Sequence, residues 1–336
     1  MHTVLVTGAS TFLGYHVVKR LNAAGVRPRV LELRDSITDV LDRLDVVRSD
    51  GALDDPGAVR SACSGVETLL HLAFKVSVGG GAALQTEMRR INVSGTLSLL
   101  REAAACGVAR AVVVGSALAV GVNRAPVALA EDADWGAHAL DLEYARIRRQ
   151  AEREALALAT PTFAVNSVCP AFTFGPDDPV GAPANKLLRA LASGKLPFTL
   201  RVGFGCLDVR DFADGMLRAA SSGRSRERYL LSGENVMATD LLQRAAAIAG
   251  VRAPRFMPPQ PLLRAAVAAV DVLSRLRRRP APITRDVLQV IGRYAWYDTT
   301  KARAELGWEP RPLQQTLEDT IAWLRNPSPA ALAYSS

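Results

Sequence analysis

Cysteine is scarce in this sequence of 336 residues, and its four cysteines lie far apart. Cys63, Cys106, Cys169 and Cys206 show no C-x-x-C spacing, so the sequence predicts neither a structural zinc site nor a disulfide framework. We expect these side chains to be small buried hydrophobic groups in a reducing compartment. No metal site is predicted elsewhere in the sequence.

Long apolar runs are also missing. No stretch reaches the ~20 residues that a membrane-spanning helix needs, and residues 1–25 lack the pattern of a secretory signal. These absences favour a cytoplasmic protein. Lysine is rare as well, because only five of the 41 basic residues are lysines. The formal net charge of +8 is carried by scattered arginines, a distribution that is not typical of nucleic-acid binding, and we predict no such partner.

The first half of the sequence alternates short β-branched runs with longer amphipathic stretches. The strand-like runs are 3–7, 29–33, 46–49, 68–72, 111–115 and 163–168. This alternation indicates βαβ units and predicts an α/β fold with a doubly wound parallel sheet of the Rossmann type. Because 49% of the residues are hydrophobic, the chain can bury a large core.

The pattern changes after Pro170, where proline, glycine and phenylalanine interrupt regular structure. New helical patterns follow at about 184–192 and 238–249. We predict a Rossmann domain over 1–168, with 204–232 returning to it, and a smaller substrate lobe over most of 169–325. Residues 326–336 are predicted to fray. The smaller lobe would cover the carboxyl ends of the strands, where open α/β sheets bind ligands.

A turn with two glycines follows the first strand and precedes a helix from about Tyr15 to Ala24. This order of strand, turn and helix brings several backbone N–H groups and the positive end of a helix to one place, where a pyrophosphate can bind. We predict that a dinucleotide is held there by Gly8, Ser10, Thr11, Phe12, Leu13 and Gly14.

The same stretch resembles the T-G-x-x-G-x-x-G turn of extended short-chain dehydrogenases/reductases, the NAD-dependent epimerase/dehydratase family. Gly8 and Gly14 match, whereas Thr11 stands where the middle glycine belongs. Its side chain is expected to crowd the pyrophosphate and to weaken or displace the cofactor. The resemblance runs from about residue 3 to 325, and several segments are close to dihydroflavonol-reductase-like and 3β-hydroxysteroid-dehydrogenase-like members.

The second and third strands carry the residues that would select the cofactor. Arg34 stands about 20 residues beyond the turn, where an arginine suits a ribose 2'-phosphate and an acidic residue suits a 2'-hydroxyl. NADP(H) is therefore favoured over NAD(H), with Glu32 expected to face the other side of the strand. A solvated surface position for Arg34 is the alternative. The resemblance implies an adenine contact for Asp50, although a simple turn position explains this residue equally well.

The resemblance also implies a catalytic set. Ser116 stands where the family has its catalytic serine, and Tyr144 and Arg148 match its Y-x-x-x-K signature except in the last residue. A spacing of four places both side chains on one helical face. In the family, the tyrosine exchanges a proton with the substrate oxygen, while the lysine binds the ribose of the cofactor and lowers the pKa of the tyrosine.

Arginine at position 148 keeps the positive charge but cannot relay a proton, because its pKa stays above about 12. Two interpretations are open. Either an arginine-rich chain tolerates Arg148 at a working active site, or the site no longer transfers hydride. We favour retained activity.

Several further positions complete the expectations for the site. Leu72, Ala73 and Pro170 resemble family segments that lie beside the nicotinamide, whereas His71 is expected to be structural. Arg210 either binds an anionic substrate group or forms a salt bridge with a nearby aspartate, Asp211 or Asp214. Four phenylalanines make the pocket side apolar, although core packing explains most of them: Phe172, Phe174, Phe198 and Phe204.

A basic amphipathic pattern lies near the end of the predicted substrate lobe. Apolar residues recur at helical spacing at Leu263, Ala266, Val267, Val270, Leu273 and Leu276, and they lead into Arg275, Arg277, Arg278 and Arg279. Such a helix can lie on an anionic membrane surface or flank an apolar substrate entrance. We expect it instead to pack onto the substrate lobe, with its basic end solvated.

These observations predict an NADP(H)-dependent oxidoreductase that acts on the carbonyl or secondary alcohol of a fairly apolar small molecule. One alternative is a nucleotide-sugar epimerase or dehydratase with tightly held NAD(H). The other is a redox-silent relative that binds a small molecule or catalyses a cyclisation or isomerisation. Two long helices, at about 83–106 and 140–159, match the dimer contact of the family and imply a homodimer.

Overall fold

A seven-stranded parallel sheet forms the centre of the larger part of the chain. The computed structural model describes residues 3–33, 40–76, 82–277 and 287–326. The strands follow the order β3-β2-β1-β4-β5-β6-β9, and every neighbouring pair is parallel. Their bounds are β1 Val4–Thr7, β2 Arg29–Glu32, β3 Val47–Asp50, β4 Thr68–His71, β5 Arg110–Val114, β6 Ala164–Pro170 and β9 Arg228–Leu231. The predicted Rossmann fold is confirmed.

The central strands β1 and β4 are buried on both faces of the sheet, as expected for a parallel sheet covered by helices, whereas the edge strand β3 is largely exposed. Val4, Val6 and Val30 point to one face and pack beneath helices α1 and α8, whereas Leu5 and Leu31 point to the other face. The helices are α1 Phe12–Ala23, α2 Pro56–Cys63, α3 Ala82–Arg89, α4 Thr96–Ala105, α5 Trp135–His138, α6 Glu143–Ala157, α7 Pro183–Ala192, α8 Val209–Ser222, α9 Ala238–Ala249, α10 Gln260–Arg277, α11 Val287–Val290, α12 Thr300–Leu306 and α13 Leu313–Arg325. A π-helical segment, Arg90–Gly95, joins α3 to α4.

A smaller sheet with helices α7, α9 and α13 forms the second lobe. Its strands are β7 Phe172–Phe174, β8 Gly203–Asp208, β10 Asn235–Met237 and β11 Tyr294–Ala295. β8 pairs antiparallel with β10 and parallel with β7 and β11. Phe172 stacks on Phe204, with ring centroids 4.8 Å apart, so these rings belong to the core of the lobe.

The boundary between the two lobes differs from the predicted one in two places. The sequence predicts that 204–232 returns to the larger domain, and α8 and β9 do so, whereas β8 lies in the smaller sheet and only its Leu207 packs into the core of the larger domain. Trp308, in contrast, is completely buried in the core of the larger sheet. The reason is local, because the Trp308 indole donates a hydrogen bond of 2.8 Å to the Asp211 carbonyl in α8. Among the described helices, none is long and apolar enough to cross a membrane.

His71 links three elements of the larger domain. Its Nδ1 lies 2.7 Å from Thr7 Oγ1 in β1, and its Nε2 lies 2.8 Å from Thr96 Oγ1 at the start of α4. The ring is completely buried, and this desolvation, reinforced by the Arg148 charge, lowers its pKa to about 3. His71 is structural, as the sequence predicts. Burial also lowers the pKa of His16 to about 4.

These two histidines predict a loss of stability in mild acid. The unfolded chain protonates its histidines near pH 6.5, whereas the folded chain does so only near the lowered values, so protons favour the unfolded state below about pH 6.5. Each histidine should cost about 2 kcal/mol of unfolding free energy between roughly pH 7 and pH 5. In urea unfolding, His71→Gln should lose only about half as much stability between roughly pH 7 and pH 5 as the parent protein, because His16 alone remains. His138→Gln is the control and should lose as much as the parent protein. An unchanged pH dependence in His71→Gln would contradict the assignment.

Candidate active site

The glycine turn is held tightly against the chain that follows β4. Gly8 has a φ of +73°, and a Cβ there would lie 2.5 Å from the amide nitrogen of Ala73. A Cβ on Gly14 would lie 2.0 Å from the carbonyl oxygen of Gly8. Both positions therefore require glycine. The turn and the Leu72–Ala73 segment, two of the predicted cofactor-binding regions, lie side by side.

Thr11 closes this turn with its side chain. It is the N-cap of α1, where its hydroxyl donates to the Gly8 carbonyl at 2.7 Å and accepts from the Gly14 amide at 3.1 Å. Its φ of −77° is ordinary for any residue, so the backbone does not require glycine there. The side chains of Phe12 and Leu13 pack into the protein, so these two residues can contribute only their backbone amides to a ligand in the turn. Weakened cofactor binding due to Thr11 stays a prediction.

Glu32 faces the glycine turn, and the expectation that it faces the other side of the strand is wrong. Its carboxylate accepts hydrogen bonds from the Ser10 amide at 3.0 Å and from the Ser10 hydroxyl at 3.1 Å. The reason is strand periodicity, because residues two apart share a face and Val30 packs beneath α1. Glu32 must then point to the side where α1 begins. Arg34, the residue on which the NADP(H) prediction depends, lies outside the described residues.

Asp50 ends β3 directly opposite Glu32 in the neighbouring strand. It is exposed, and the next amide, that of Gly51, donates to the Glu32 carbonyl at 2.8 Å. Asp50 therefore lies at the same edge of the sheet as Glu32 and the glycine turn. This position is compatible with the predicted adenine contact, which stays a prediction.

The predicted catalytic residues lie on two neighbouring elements. Ser116 is buried two residues beyond β5, where it begins a single 3-10 turn, Ala117–Ala119. Tyr144 is half-buried in the first turn of α6, and α6 packs against this 3-10 turn. Pro170 is half-buried at the end of β6, beside β5 in the sheet.

Arg148 contacts the main chain just before Ser116. Its Nη2 donates to the carbonyl oxygens of Val114 at 2.7 Å and Gly115 at 2.5 Å. The guanidinium carbon lies 3.6 Å from the centre of the Phe74 ring, and the residue is only 4% exposed. Desolvation lowers the pKa of the guanidinium. Within the described part of the chain, Nε and Nη1 have no hydrogen-bond partner, and these are the nitrogens that a ribose hydroxyl would have to reach.

A second buried charge lies one helical turn beyond Arg148, and the sequence prediction missed it. The Glu152 carboxylate accepts from the Ser167 hydroxyl at 2.6 Å, from the Cys169 thiol at 2.9 Å and from Arg228 Nη2 at 2.5 Å. Burial and the Glu152 charge raise the pKa of Cys169 well above its usual value, so the thiol stays neutral. The spacing of four residues from Arg148 was the available signal in the sequence.

Asn92 holds the segment that carries Phe74. From the π-helical segment, its side chain accepts from the Lys75 amide and donates to the Lys75 carbonyl, both at 2.8 Å. The Asn92 side chain thus satisfies both backbone groups of Lys75, as a neighbouring strand would do. Phe74, which covers Arg148, is therefore fixed between the glycine turn and Asn92.

Arg210 forms a salt bridge, but not with the predicted aspartates. It pairs with Asp208 at 2.7 Å and with Asp319 at 2.7 Å. Asp211 instead pairs with Arg311, and Asp214 pairs with Arg20. Asp208 caps α8 and lies beside Arg210, whereas successive side chains on the helix point away from each other. Arg210 thus ties α8 to α13, which explains it without a substrate anion.

The contacts of Arg148 predict a role in the folded structure that does not need a cofactor. Replacing it in Arg148→Ala leaves two carbonyls without their donor and opens space beneath Phe74. The free energy of unfolding of the cofactor-free protein should fall by about 1–3 kcal/mol. Urea denaturation checks this, with the adjacent half-buried Arg149→Ala as the control. Equal stability of Arg148→Ala and the parent protein would mean that Arg148 serves only a ligand.

Three comparisons with known proteins agree with this geometry. Residues 4–232 match the family model of the NAD dependent epimerase/dehydratase family. "Sterol demethylase protein B" of Methylococcus capsulatus is 31% identical over 327 residues, which cover 96% of this chain and 98% of the relative. "4-hydroxy-2-methyl-3-oxo-4-farnesyl-3,4-dihydroquinoline-1-oxide ketoreductase" of Stigmatella aurantiaca is 27% identical, with 94% of each chain covered.

The crystal structure of gox2253 superposes with a TM-score of 0.83 at 29% identity, covering 97% of this chain and 98% of that one. The similarity therefore includes both lobes, and not only the glycine turn. It agrees with the order of the strands in the larger sheet. The chain belongs to the NAD-dependent epimerase/dehydratase family and is an extended short-chain dehydrogenase/reductase.

Proposed function

We propose that the protein is a nicotinamide-dependent oxidoreductase that interconverts the ketone and the secondary alcohol of a fairly apolar small molecule. The observation that carries this proposal is the placement of Tyr144 in the first turn of α6, which packs against the 3-10 turn that Ser116 begins. The relatives support the substrate class, because one is named for a sterol and another is a ketoreductase named for a farnesylated compound.

The residues of the turn fit a dinucleotide. Gly8 and Gly14 lack the side chains that would fill the turn, and the first turn of α1 presents its backbone N–H groups there. The bound nicotinamide would supply the hydride for ketone reduction or accept it for alcohol oxidation.

Each of the three catalytic residues has a distinct role in this proposal. In the reducing direction, the Tyr144 hydroxyl would give its proton to the substrate oxygen as the hydride reaches the carbon. The Ser116 hydroxyl would donate a hydrogen bond to the same oxygen as negative charge develops on it. Arg148 would keep a fixed positive charge beneath Phe74 and hold the main chain that precedes Ser116. Because a guanidinium stays protonated, the proton that Tyr144 gives up must be replaced by another route.

Two residues bear on which nicotinamide cofactor is used. The preference for NADP(H) depends on Arg34 and stays a prediction. The position of Glu32 favours NAD(H), because a carboxylate beside Ser10 would accept from a ribose 2'-hydroxyl and repel a 2'-phosphate. Arg34 would therefore favour a 2'-phosphate on the ribose, whereas Glu32 would disfavour it.

Glu32→Gln should shift the affinity toward the phosphorylated cofactor. Removing the charge should raise the affinity for NADP⁺ relative to NAD⁺ by roughly tenfold or more, equivalent to about 1.4 kcal/mol. Titration calorimetry with NADPH, NADH and their oxidised forms measures the ratio. Glu67→Gln, an exposed glutamate at the opposite edge of the sheet, is the matched control, and Arg34→Ala should shift the ratio in the other direction. An unchanged ratio in Glu32→Gln would show that the carboxylate does not face the ribose.

Tyr144→Phe should abolish turnover without abolishing cofactor binding. Loss of the proton donor should lower kcat for a panel of apolar ketones by about 10²–10⁴-fold. Ser116→Ala should also lower kcat, whereas Tyr294→Phe, in the smaller sheet, should keep its activity. Stopped-flow measurement of NAD(P)H oxidation, together with calorimetry of the same variants, separates the chemistry from binding. Unchanged turnover in Tyr144→Phe would overturn the proposed mechanism.

A redox-silent function is the second candidate, and the contacts of Arg148 favour it. Its guanidinium is held on main-chain carbonyls beneath Phe74, where it is shielded from a ribose in the cleft. If neither the parent protein nor Thr11→Gly/Arg148→Lys binds a nicotinamide cofactor or turns over any ketone, the redox proposal fails and this candidate replaces it. The epimerase or dehydratase alternative predicts bound NADH and conversion of UDP-sugars. The homodimer contact also stays a prediction.

A further inference from the structure

An unusual surface lies on the smaller lobe, between α9 and the middle of α10. Three large apolar side chains are exposed there within seven residues: Phe256 is 54% exposed, Met257 is 44% exposed and Leu262 is 53% exposed. Three arginines, Arg252, Arg255 and Arg264, are exposed in the same stretch. We call these six residues the apolar-basic surface.

The backbone beneath this surface is anchored, so the exposure is a property of the fold. The Phe256 carbonyl accepts a hydrogen bond of 2.9 Å from the Thr199 amide, and Pro258 is buried. In the first part of α10, over 260–270, Val267 is the one fully buried side chain. Leu263 and Val270 of the predicted apolar stripe are half-buried beside Val267, so this part of the stripe packs onto the lobe as expected, whereas Leu262, which lies outside the stripe, is exposed. Leu273, Leu276 and the arginines 275 and 277–279 lie outside the described side chains.

The charge of this surface is of one sign. No aspartate or glutamate occurs in the sequence between residues 241 and 270. Arg244 pairs with Glu234, but Arg252, Arg255 and Arg264 make no ion pair with any residue that the structure describes. The sequence then continues into Arg275, Arg277, Arg278 and Arg279, with Asp271 as the one acidic residue before them. Unpaired positive charge beside exposed apolar groups is complementary to an anionic, partly apolar surface.

We propose that the apolar-basic surface docks onto an anionic lipid bilayer. Phe256, Met257 and Leu262 would enter the boundary between headgroups and acyl chains, while the arginines contact anionic headgroups. Exposed apolar side chains that are flanked on both sides by basic ones suit this occupant, because a water-facing surface gains nothing from exposing a phenylalanine. The inference does not depend on the proposed oxidoreductase activity.

Vesicle sedimentation tests the docking. The full-length protein is mixed with vesicles of phosphatidylcholine and with vesicles of phosphatidylcholine and phosphatidylglycerol. We expect binding to the anionic vesicles to be at least roughly tenfold stronger than to the neutral ones, and to weaken as salt screens the arginines. Equal binding to both vesicle types, or no binding to either, would overturn the proposal.

Two sets of substitutions assign the binding to these residues. Phe256→Ser/Met257→Ser/Leu262→Ser and Arg252→Gln/Arg255→Gln/Arg264→Gln should each lower binding by roughly tenfold. The control is Arg124→Gln/Val127→Ser, which removes the same chemistry from another exposed loop. Circular dichroism and nicotinamide cofactor binding should be unchanged in all variants, because the surface lies outside the candidate site.

Two results from these variants would reject the membrane assignment. If they bind anionic vesicles as well as the parent protein does, the surface is not the docking site. If removing the apolar side chains converts a lipid-free dimer to a monomer in sedimentation, the surface is an interface between two copies of the chain.

Discussion

The close approach of the Gly8 backbone to the chain after β4 is the constraint on which the candidate site depends. A side chain at Gly8 would lie 2.5 Å from the Ala73 amide, and one at Gly14 would lie 2.0 Å from the Gly8 carbonyl. The turn is therefore fixed against Leu72–Ala73 on one side and against α1 on the other. Ser10 lies in this turn and donates two hydrogen bonds to the Glu32 carboxylate. The packing of the turn after β1 therefore also fixes the orientation of Glu32 at the end of β2. The same segment after β4 carries Phe74 and places it over Arg148.

Arg148 and Glu152 show how the chain accommodates two buried charges on one helical face. An unpaired buried charge is costly, and each of these charges has its own partners. Arg148 binds two carbonyls at the end of β5, whereas Glu152 accepts from Ser167, Cys169 and Arg228. The Cys169 thiol, whose pKa burial and the Glu152 charge raise, stays neutral beside this carboxylate.

The fold was predictable from the sequence because it depends on local patterns, whereas the site depends on tertiary contacts. An apolar, β-branched run such as Ala111 to Gly115 indicates a buried strand by its composition alone. The spacing of Gly8 and Gly14 after the first strand likewise indicates the glycine turn. The orientation of Glu32 could also have been predicted, because a strand that points Arg34 at the cofactor points Glu32 the same way. The carbonyl partners of Arg148 and the Asp319 partner of Arg210 are 33 or more residues away in sequence, and no local pattern indicates them. The exposure of Phe256, Met257 and Leu262 was missed because no local pattern shows which apolar side chains the core leaves uncovered.

The positions of the arginines show more about their roles than the formal net charge of +8 does. Within the folded lobes, arginines are paired where they join elements. Arg210 joins α8 to α13, Arg311 binds Asp211, and Arg228 joins β9 to Glu152 in α6. These charges are neutralised locally and contribute to packing, so they add little to the field that an approaching molecule meets. The stretch from 241 to 270 in the smaller lobe differs from these regions, because it contains arginines but no acidic residue. Arg252, Arg255 and Arg264 therefore lie beside the three exposed apolar side chains, Phe256, Met257 and Leu262, in a stretch of the sequence without an acidic residue.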